Sequence, residues 1–416
     1  MAAELPAEVD VAVVGAGAAG IAAARVLANR PLSVAVLEAR RRIGGRALTM
    51  DRGGHGVDLG CGWLHSADEN PLAARVEAEG LTIDRTPPPW ERQAFNHEMT
   101  EAEQGEFGRA FGAFEDRLAE AASRGETGPA SRWFEADCRW NARMDAISGA
   151  LNGAPFDQVE TQDYDAYRDT GVNWRVVEGY GRLVTGLGTG LPVILDCAVT
   201  RIDRSAAPLA LETRRGTIMA RAVILTVPTA LIAAETPRID PPLRELLEAA
   251  DGTPLGLADK VQMAVTGAED FPPDSQLWGR ADTRDTGGHH LRPFGRSMIE
   301  TYLGGELARG LEAEGPGAGF AFAVDELVAL LGSDMRKRLT LLAETRWGAA
   351  PWSRGSYSHV LPGRAGARQA LARPVEDRIF VAGEATSLDF YGTAHGAWLE
   401  GERAAREALA ALGVDA

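Results

Sequence analysis

A glycine-rich turn near the N-terminus constrains the fold more than any other feature of this chain. A short β-branched run at residues 8–14 leads directly into three glycines with the spacing GxGxxG. The run predicts a buried parallel strand, and the Ala-rich residues 18–29 predict a helix directly after it. Because a second strand is predicted at 33–37, the chain opens as a βαβ unit, which requires a parallel sheet and a right-handed crossover.

Each of the three glycines has its own physical role. Gly15 permits the tight turn, Gly17 lets the backbone approach a pyrophosphate, and Gly20 allows the helix to pack closely on the sheet. The start of the helix supplies free N–H groups and a partial positive charge for the phosphates. Glu38, at the end of the second predicted strand, can accept hydrogen bonds from both ribose hydroxyls of an adenosine. Its charge repels a 2′-phosphate, so NADP is disfavoured.

The run that follows Glu38 favours FAD over NAD. The segment EARRRIGGR (38–46) places Gly44 and Gly45 beside Arg46. Such a loop suits a second phosphate and a ribityl chain, because arginine binds phosphate through paired donors. A solvated run of charges is the alternative that this pattern leaves open.

Strand signals of the dinucleotide-binding type occur at the start, middle and end of the chain, and aromatic-rich inserts separate them. Within the first insert, Thr100–Arg124 predicts an amphipathic helix whose Phe residues face a core, whereas residues 125–165 show no regular pattern. The fold class is therefore predicted as α/β, with a discontinuous Rossmann-like FAD-binding domain and a substrate domain whose mixed or antiparallel sheet is flanked by helices. The predicted FAD-binding domain comprises residues 1–77, 177–250 and 346–416, and the substrate domain comprises 78–176 and 251–345.

Charge and cysteine content exclude several classes of function. The net charge of −16 repels nucleic acid and anionic lipid and mildly favours cationic ligands, although solubility alone also explains it. Cys61, Cys138 and Cys197 form no CxxC pair, so we expect a reducing compartment, no disulfide scaffold and no metal site. With no signal-peptide pattern and no long apolar run, we expect a cytoplasmic protein, monomeric or homodimeric, without a membrane or nucleic-acid partner.

Several motifs, in their order along the chain, resemble those of the flavin-containing amine oxidases. They are GAGAAG with Glu38, EARRRIGGR, DLGCGWLH (58–65), RWGAAPWSRGSY (346–357) and IFVAGEATSLDFYGTAHGAWLEGERAA (379–405). Within that family, GWLHSADENPL (62–72) and FYGTAHGA (390–397) are most similar to polyamine and spermine oxidases. The resemblance implies a glutathione-reductase-like FAD-binding domain, a small cationic amine as substrate and O2 as electron acceptor.

The resemblance also implies two catalytic residues. Lys260 matches a buried lysine that holds a water near flavin N5, and desolvation is expected to lower its pKa from the usual value of about 10.4. His65 stands where polyamine oxidases place a histidine beside the substrate nitrogen, where it would orient or deprotonate the amine. A packed histidine that caps a loop is the alternative for His65.

Three further residues are expected to bind substrate. Tyr357 matches one wall of an aromatic sandwich over the flavin, Thr393 occupies the opposite wall, and Trp63 packs around the ring system. Ser356 falls where monoamine oxidases carry the cysteine that bonds the flavin, so non-covalent FAD is predicted. His395 is expected to be structural.

The predicted cofactor contacts combine glycine loops, the ribose carboxylate and the start of the last helix. That helix, predicted at 395–412, directs the positive end of its dipole at the negative charge of a reduced flavin. The predicted contacts are Gly15, Gly17, Ala18, Gly20, Glu38, Ala39, Arg40, Gly45, Arg46, Gly60, Gly62, Trp63, Val199, Trp352, Gly383, Glu384, Thr393 and Ala394.

The expected reaction is oxidation of a C–N bond of a polyamine-type substrate by hydride transfer to flavin N5. It yields an imine, then an aldehyde and a shorter amine, while O2 becomes H2O2. Another secondary or cyclic amine, a monoamine or an amino acid is the alternative substrate; a flavin desaturase or a non-catalytic scaffold is the rival class. Glu160, Asp163 and Asp165 are candidates for binding distal ammonium groups from local acidity alone, and a solvated charged face is the simpler interpretation.

Overall fold

The βαβ opening forms at the predicted place. The structure is a computed structural model, and it describes residues 4–91 and 93–415. In chain order the described strands are β1 (Glu8–Val14), β2 (Val34–Leu37), β3 (Thr49–Arg52), β4 (His55–Asp58), β5 (Ile83–Asp84), β6 (Arg175–Val176), β7 (Val193–Ile194), β8 (Val199–Asp203), β9 (Leu209–Thr213), β10 (Gly216–Leu225), β11 (Arg238–Asp240), β12 (Ala258–Val265), β13 (Ser275–Trp278), β14 (Gly288–Leu291), β15 (Met298–Gly304), β16 (Leu339–Glu344) and β17 (Ile379–Val381).

Helices connect and cover these strands. They are α1 (Ala18–Leu27), α2 (Ala73–Val76), α3 (Glu101–Ser123), α4 (Asn141–Asn152), α5 (Thr161–Ala166), α6 (Tyr180–Leu187), α7 (Thr229–Ala233), α8 (Arg244–Asp251), α9 (Gly305–Glu314), α10 (Ala318–Leu331), α11 (Met335–Arg338), α12 (Ala367–Ala372) and α13 (Ala394–Ala411). Within the described part of the chain, none of these helices is both long and apolar enough to cross a membrane.

The larger sheet joins strands from three distant parts of the chain. Its order is β11-β8-β9-β10-β1-β2-β7, and β17 also pairs with β10. The strands β2, β1, β10 and β17 run parallel, as the βαβ opening requires. Helices α1 and α13 pack together over one face of this sheet, and small residues bring them close: a Cβ at Gly401 would lie 2.1 Å from the carbonyl oxygen of Ala19. The discontinuous Rossmann-like fold is thus confirmed.

The second sheet is antiparallel throughout, with the order β13-β14-β15-β12-β16. Val261 and Met263 on β12 are fully buried and share a core with Ala323 and Leu327 of α10. This arrangement confirms the predicted sheet flanked by helices. The two sheets support the proposed division into domains, whose boundaries remain a prediction.

The first insert contains one helix that the sequence predicted, α3, and two that it did not, α4 and α5. α3 begins at a capping box between Thr100 and Glu103, and its Phe114 is buried in an aromatic core as expected. α4 lies inside the stretch for which no pattern was recognised. It buries Arg143 and packs Gly149 against the backbone of Gly304, where an added Cβ would come within 3.2 Å. A helix that buries polar and glycine residues has no apolar stripe for sequence analysis to detect.

Candidate active site

A large cavity lies at the carboxyl ends of the parallel strands. Val14, Leu37 and Thr226, at or just after the ends of β1, β2 and β10, line it together with Lys260 and Tyr302 of the second sheet. It encloses about 1620 Å³, its open mouth included. Ligands of doubly wound sheets bind at this edge, because the loops that leave the strands diverge there.

The predicted cofactor residues line this cavity, with the exception of Gly20. A Cβ at Gly20 would lie 1.9 Å from the carbonyl oxygen of Gly15, so Gly20 serves helix–sheet packing. Gly15 itself has φ +108°, a conformation that favours glycine and produces the tight turn.

Two glycine loops face each other across one end of the cavity. A Cβ added to Gly17 would meet only the Cα of Gly45, at 3.9 Å. Since neither residue has a side chain, backbone and open space form the walls of this end. Such a cradle suits a pyrophosphate, which needs close approach of main-chain N–H groups.

Glu38 organises the same end through main-chain hydrogen bonds. Its carboxylate accepts from the backbone N–H of Ala16 at 2.8 Å and from that of Arg40 at 2.7 Å. Burial of the Arg40 guanidinium lowers its pKa to about 10, so it stays charged at neutral pH, and it donates to Ser353 Oγ at 2.7 Å. A buried carboxylate beside a glycine turn supplies the acceptor that the two hydroxyls of an adenosine ribose require.

Arg46 and Glu384 join the N-terminal and C-terminal motifs. Arg46 Nη1 lies 2.9 Å from Glu384 Oε1 and 2.6 Å from the carbonyl oxygen of Ser356. Glu384 also accepts from Ser358 Oγ at 2.6 Å and from the backbone N–H of Gly392 at 2.9 Å. Burial raises the pKa of Glu384, but the nearby guanidiniums outweigh it and hold this pKa below its usual value. The carboxylate is thus a charged anchor between two cavity walls.

The start of α13 faces the cavity. Thr393 is its N-cap and accepts from the backbone N–H of Gly396 at 2.9 Å, and both Thr393 and Ala394 line the cavity. Ser356 Oγ donates to the carbonyl oxygen of Ala258 at 2.7 Å and accepts from its N–H at 2.9 Å. A helix N-terminus, two glycine loops and the carboxylate of Glu38 therefore fit FAD along this cavity.

No group of three or more His, Cys, Asp or Glu within residues 4–91 and 93–415 is placed to hold a metal.

Lys260 lies at the opposite end of the cavity, and the expected direction of its pKa shift is wrong. Burial lowers the pKa of its ammonium, but the negative charge of Glu300 and the neighbouring Tyr302 and Asp58 outweigh burial and raise it. Lys260 Nζ lies 3.3 Å from Glu300 Oε2 and donates to the backbone carbonyl of Asp58 at 3.2 Å. The expected decrease in pKa took only desolvation into account. Glu300, whose charge raises the pKa, lies on a neighbouring strand and was not recognised from the sequence.

His65 also lines the cavity, and a residue that the sequence analysis missed orients it. His65 Nδ1 lies 2.7 Å from Asn173 Oδ1, so Nδ1 carries the proton and Nε2 keeps a lone pair. Burial lowers the pKa of His65, and a smaller effect of the hydrogen bond to Asn173 opposes it. The imidazole is therefore neutral at pH 7 and can accept a hydrogen bond from an amine N–H.

Aromatic side chains enclose the Lys260 end. Tyr357 donates through its hydroxyl to the backbone carbonyl of Ala150, and its Oη lies 3.2 Å from that of Tyr302, which was also not recognised from the sequence. Trp63 packs edge-on against Trp90 with ring centroids 4.6 Å apart. Thr393 lines the cavity as predicted, although its hydroxyl donates to the Phe390 carbonyl at 2.7 Å.

The acidic residues considered for distal ammonium groups lie elsewhere. Glu160 is fully buried and accepts from the backbone N–H of Gly128 at 2.8 Å. Asp163 is buried in an ion pair with Arg368, whose Nε lies 2.6 Å away. The solvated-face interpretation is therefore wrong for Glu160 and Asp163. Neither they nor Asp165 are among the residues that line the cavity.

Comparison with known proteins identifies the family. A family model for flavin containing amine oxidoreductases matches residues 120–409, and a model for NAD(P)-binding Rossmann-like domains matches residues 13–78. The chain belongs to the flavin-containing amine oxidoreductase family and is an enzyme of that type.

Individual relatives agree with this assignment. Polyamine oxidase 2 of Arabidopsis thaliana is 28% identical over 96% of this chain and 87% of its own length. Lysine-specific histone demethylase 1 homolog 2 of the same plant is 29% identical over 97% of this chain but only 58% of its own length. Among solved structures, a putrescine oxidase bound to putrescine has a TM-score of 0.80 at 22% identity, and cyclohexylamine oxidase from Brevibacterium oxydans IH-35A has 0.80 at 21%. Each alignment covers 97% of this chain and 99% of the solved chain, which shows a shared fold.

Proposed function

We propose that this enzyme binds FAD non-covalently and oxidises the C–N bond of a polyamine-type substrate, with O2 as acceptor and H2O2 as product. The observation that carries the proposal is one continuous cavity, with a glycine cradle at one end and Lys260, His65 and Tyr357 at the other. Bound FAD would supply the acceptor for the hydride that leaves the carbon beside the amine nitrogen. Ser356 supports non-covalent binding, because it offers no thiol to bond the flavin and its hydroxyl is hydrogen-bonded to the main chain of Ala258.

The protein groups at the substrate end suit a neutral amine. In this proposal His65 Nε2 accepts a hydrogen bond from the amine N–H. This hydrogen bond orients the nitrogen so that its lone pair is aligned with the C–H bond that breaks. Tyr357 and Trp63 provide aromatic walls for the alkyl chain and exclude water. An ammonium has no lone pair to stabilise the developing cation, so the reacting amine must be deprotonated.

The experiment is anaerobic reduction of the FAD-loaded protein by a panel of amines, followed at the flavin absorbance. Polyamines such as spermine and spermidine are expected to bleach the flavin, at a rate that rises with pH until the reacting nitrogen is neutral. Mass identification of the aldehyde then locates the carbon attacked, and a peroxide assay tests O2 as acceptor. A coloured protein that no amine reduces would contradict the proposal.

Two buried histidines provide a matched control. His65→Gln is expected to slow flavin reduction by on the order of a hundredfold, as for a lost acid–base group. His395 is also buried but is not among the residues that line the cavity, and burial lowers its pKa to about 3. His395→Gln is expected to leave the reduction rate within a few fold of the parent. Equal losses in both variants would remove His65 from its proposed role.

A monoamine or cyclic amine is the second candidate substrate. The observation that favours it is the aromatic lining of the substrate end by Trp63, Tyr302 and Tyr357. Among the described residues that line the cavity, the carboxylates are those of Glu38 and Glu384, and both already bond main-chain N–H groups. Cyclic and aryl amines therefore belong in the same panel, and faster reduction by them than by polyamines would favour this candidate.

The cytoplasmic location and a monomeric or homodimeric state are also proposals. They rest on composition, including three cysteines that are free in the structure.

A further inference from the structure

Lysine is rare in this chain, and one of its lysines lies in the active-site cavity. Of 43 basic residues, only Lys260 and Lys337 are lysines; the remainder are arginines. Lys337 lies on α11 and is exposed, whereas the Lys260 side chain is only 7% exposed. The two cations differ chemically, because lysine can release its proton and arginine in practice cannot. An ammonium at position 260 can therefore act as a proton donor.

The second sheet fixes the partners of that ammonium. β12 and β15 are antiparallel, with Lys260 opposite Tyr302 and Gln262 opposite Glu300. Because alternate residues share a face, the Lys260 and Glu300 side chains meet, with Nζ and Oε2 separated by 3.3 Å. Gln262 Nε2 donates to the same Oε2, and the backbone carbonyl of Asp58 accepts from Nζ. Gln262 thus holds Glu300 in place while Glu300 pairs with Lys260.

Because Lys260 is buried, its ion pair with Glu300 strongly affects whether the lysine keeps its proton. A buried ammonium without a partner loses its proton readily, whereas a carboxylate about 3 Å away favours the charged form. Burial lowers the pKa of Lys260, and the carboxylate of Glu300 is the largest of the effects that oppose it. The titratable groups that interact with the ammonium are Glu300 and Tyr302 on β15, Asp58 at the end of β4, and Cys61 and His65 in the loop after β4.

A second cavity lies on the Glu300 side of Lys260. It encloses about 480 Å³, its open side included, and its lining includes Glu300, Gln262 and Arg296. It shares Gly62, Trp63 and Lys260 with the main cavity, so Lys260 forms part of the wall between the two. The Glu300 side chain is 19% exposed, which gives the pair access to solvent from this side.

We propose that Glu300 is a positioning residue that holds Lys260 as an ammonium in the wall of the main cavity, and that the second cavity supplies the protons that Lys260 gives up. This inference rests on the proposed function, with O2 as the oxidant. Reduction of O2 to H2O2 takes two electrons and two protons, and a cofactor reduced by hydride carries two electrons and one proton. The second proton leaves Lys260 Nζ as an N–H bond breaks and an O–H bond forms. Water in the second cavity then returns a proton to Nζ, beside Glu300.

The first test measures the ion pair directly and does not depend on turnover. Protein labelled with ¹³C at the lysine Cε carbons gives two NMR signals, and Lys337→Arg assigns them. In Glu300→Gln, the midpoint of the Lys260 titration is expected to fall by at least one pH unit, while the Lys337 signal keeps its midpoint as an internal reference. Glu300→Asp is expected to restore part of the shift. An unchanged Lys260 midpoint in Glu300→Gln would overturn the proposal.

The second test separates the two half-reactions. Flavin reduced by light, without any amine, is mixed with O2, so this measurement remains possible even if the proposed amine chemistry fails. Glu300→Gln is expected to slow reoxidation by about tenfold and to move the alkaline decline of its rate to lower pH, with the flavin affinity within about twofold of the parent. Combining Glu300→Gln with Lys260→Met is expected to add no further loss to that of Lys260→Met alone. Normal reoxidation in Glu300→Gln, or fully additive losses in the double variant, would overturn the proposal.

Discussion

The two ends of the active-site cavity differ in what forms their walls, which is the main chain at one end and side chains at the other. At the cofactor end, Gly15, Gly17 and Gly45 form the walls with backbone, and Glu38 bonds that same backbone. At the substrate end, side chains form the walls, and residues distant in sequence hold several of them; His65, for example, is oriented by Asn173. A site walled by main-chain atoms tolerates few substitutions, because an added side chain has little room. A side-chain site is expected to lose activity in graded steps as its supports are removed.

The largest effect is expected from adding a single carbon just behind the cofactor end, where α1 packs on the sheet. Gly20→Ala places a Cβ 1.9 Å from the Gly15 carbonyl oxygen, so α1 must move away from β1. Overpacking of this kind costs about 3 kcal/mol or more in the free energy of unfolding, measured by denaturant or thermal unfolding. Gly108→Ala is the control, since nothing lies within 4 Å of its added Cβ on α3, and it is expected to stabilise the helix by up to about 1 kcal/mol. Comparable stability in both variants would show that close packing at Gly20 does not limit substitution.

A second substitution at the same end separates folding from cofactor binding. Gly17 has an extended backbone, and a Cβ there would meet only Gly45 Cα, so Gly17→Val is expected to leave unfolding of the FAD-free protein within about 1 kcal/mol of the parent. The side chain occupies the space proposed for the pyrophosphate, so FAD affinity is expected to fall about a hundredfold, or about 2.7 kcal/mol. Titration with FAD, followed by flavin fluorescence, measures this loss. Full affinity would show that the glycine cradle does not hold the cofactor.

The smallest effect is expected from removing a support at the substrate end. Asn173→Ala takes away the acceptor for His65 Nδ1–H, so the ring is free to turn or change tautomer, and amine reduction of the flavin is expected to slow about tenfold, or about 1.4 kcal/mol. FAD affinity is expected to stay unchanged. Rapid-mixing measurements of flavin reduction, run beside the FAD titration, check both values.

Asn173→Asp sharpens the same test through pH. The carboxylate keeps the hydrogen bond but favours the imidazolium, so it raises the pKa of His65. The charged ring has no lone pair for the amine, and the acid limb of the reduction rate is therefore expected to move to higher pH, with the plateau above it retained. A profile that does not move would show that His65 does not act as an acceptor.

The features that were predicted correctly are those that local chemistry determines. The turn at Gly15, the helix after it and the carboxylate of Glu38 at the end of β2 all depend on residues close together in the chain, and each lies where expected. The helix α4 was not predicted, because its buried face carries Arg143 and Gly149 in place of an apolar stripe. The pKa of Lys260 is raised and not lowered, because Glu300 lies beside it in the folded chain.

The sequence by itself determined the parallel sheet, the glycine cradle and the amine oxidase family, because the steric demands of a tight turn and of close helix–sheet packing appear as fixed local spacings. Tertiary structure alone decided the electrostatics of the substrate end. Glu300 reaches Lys260 through pairing of β12 with β15, and Asn173 reaches His65 across a gap of 108 residues. Coulomb and hydrogen-bond energies depend on distances in space, and only the folded chain sets those distances.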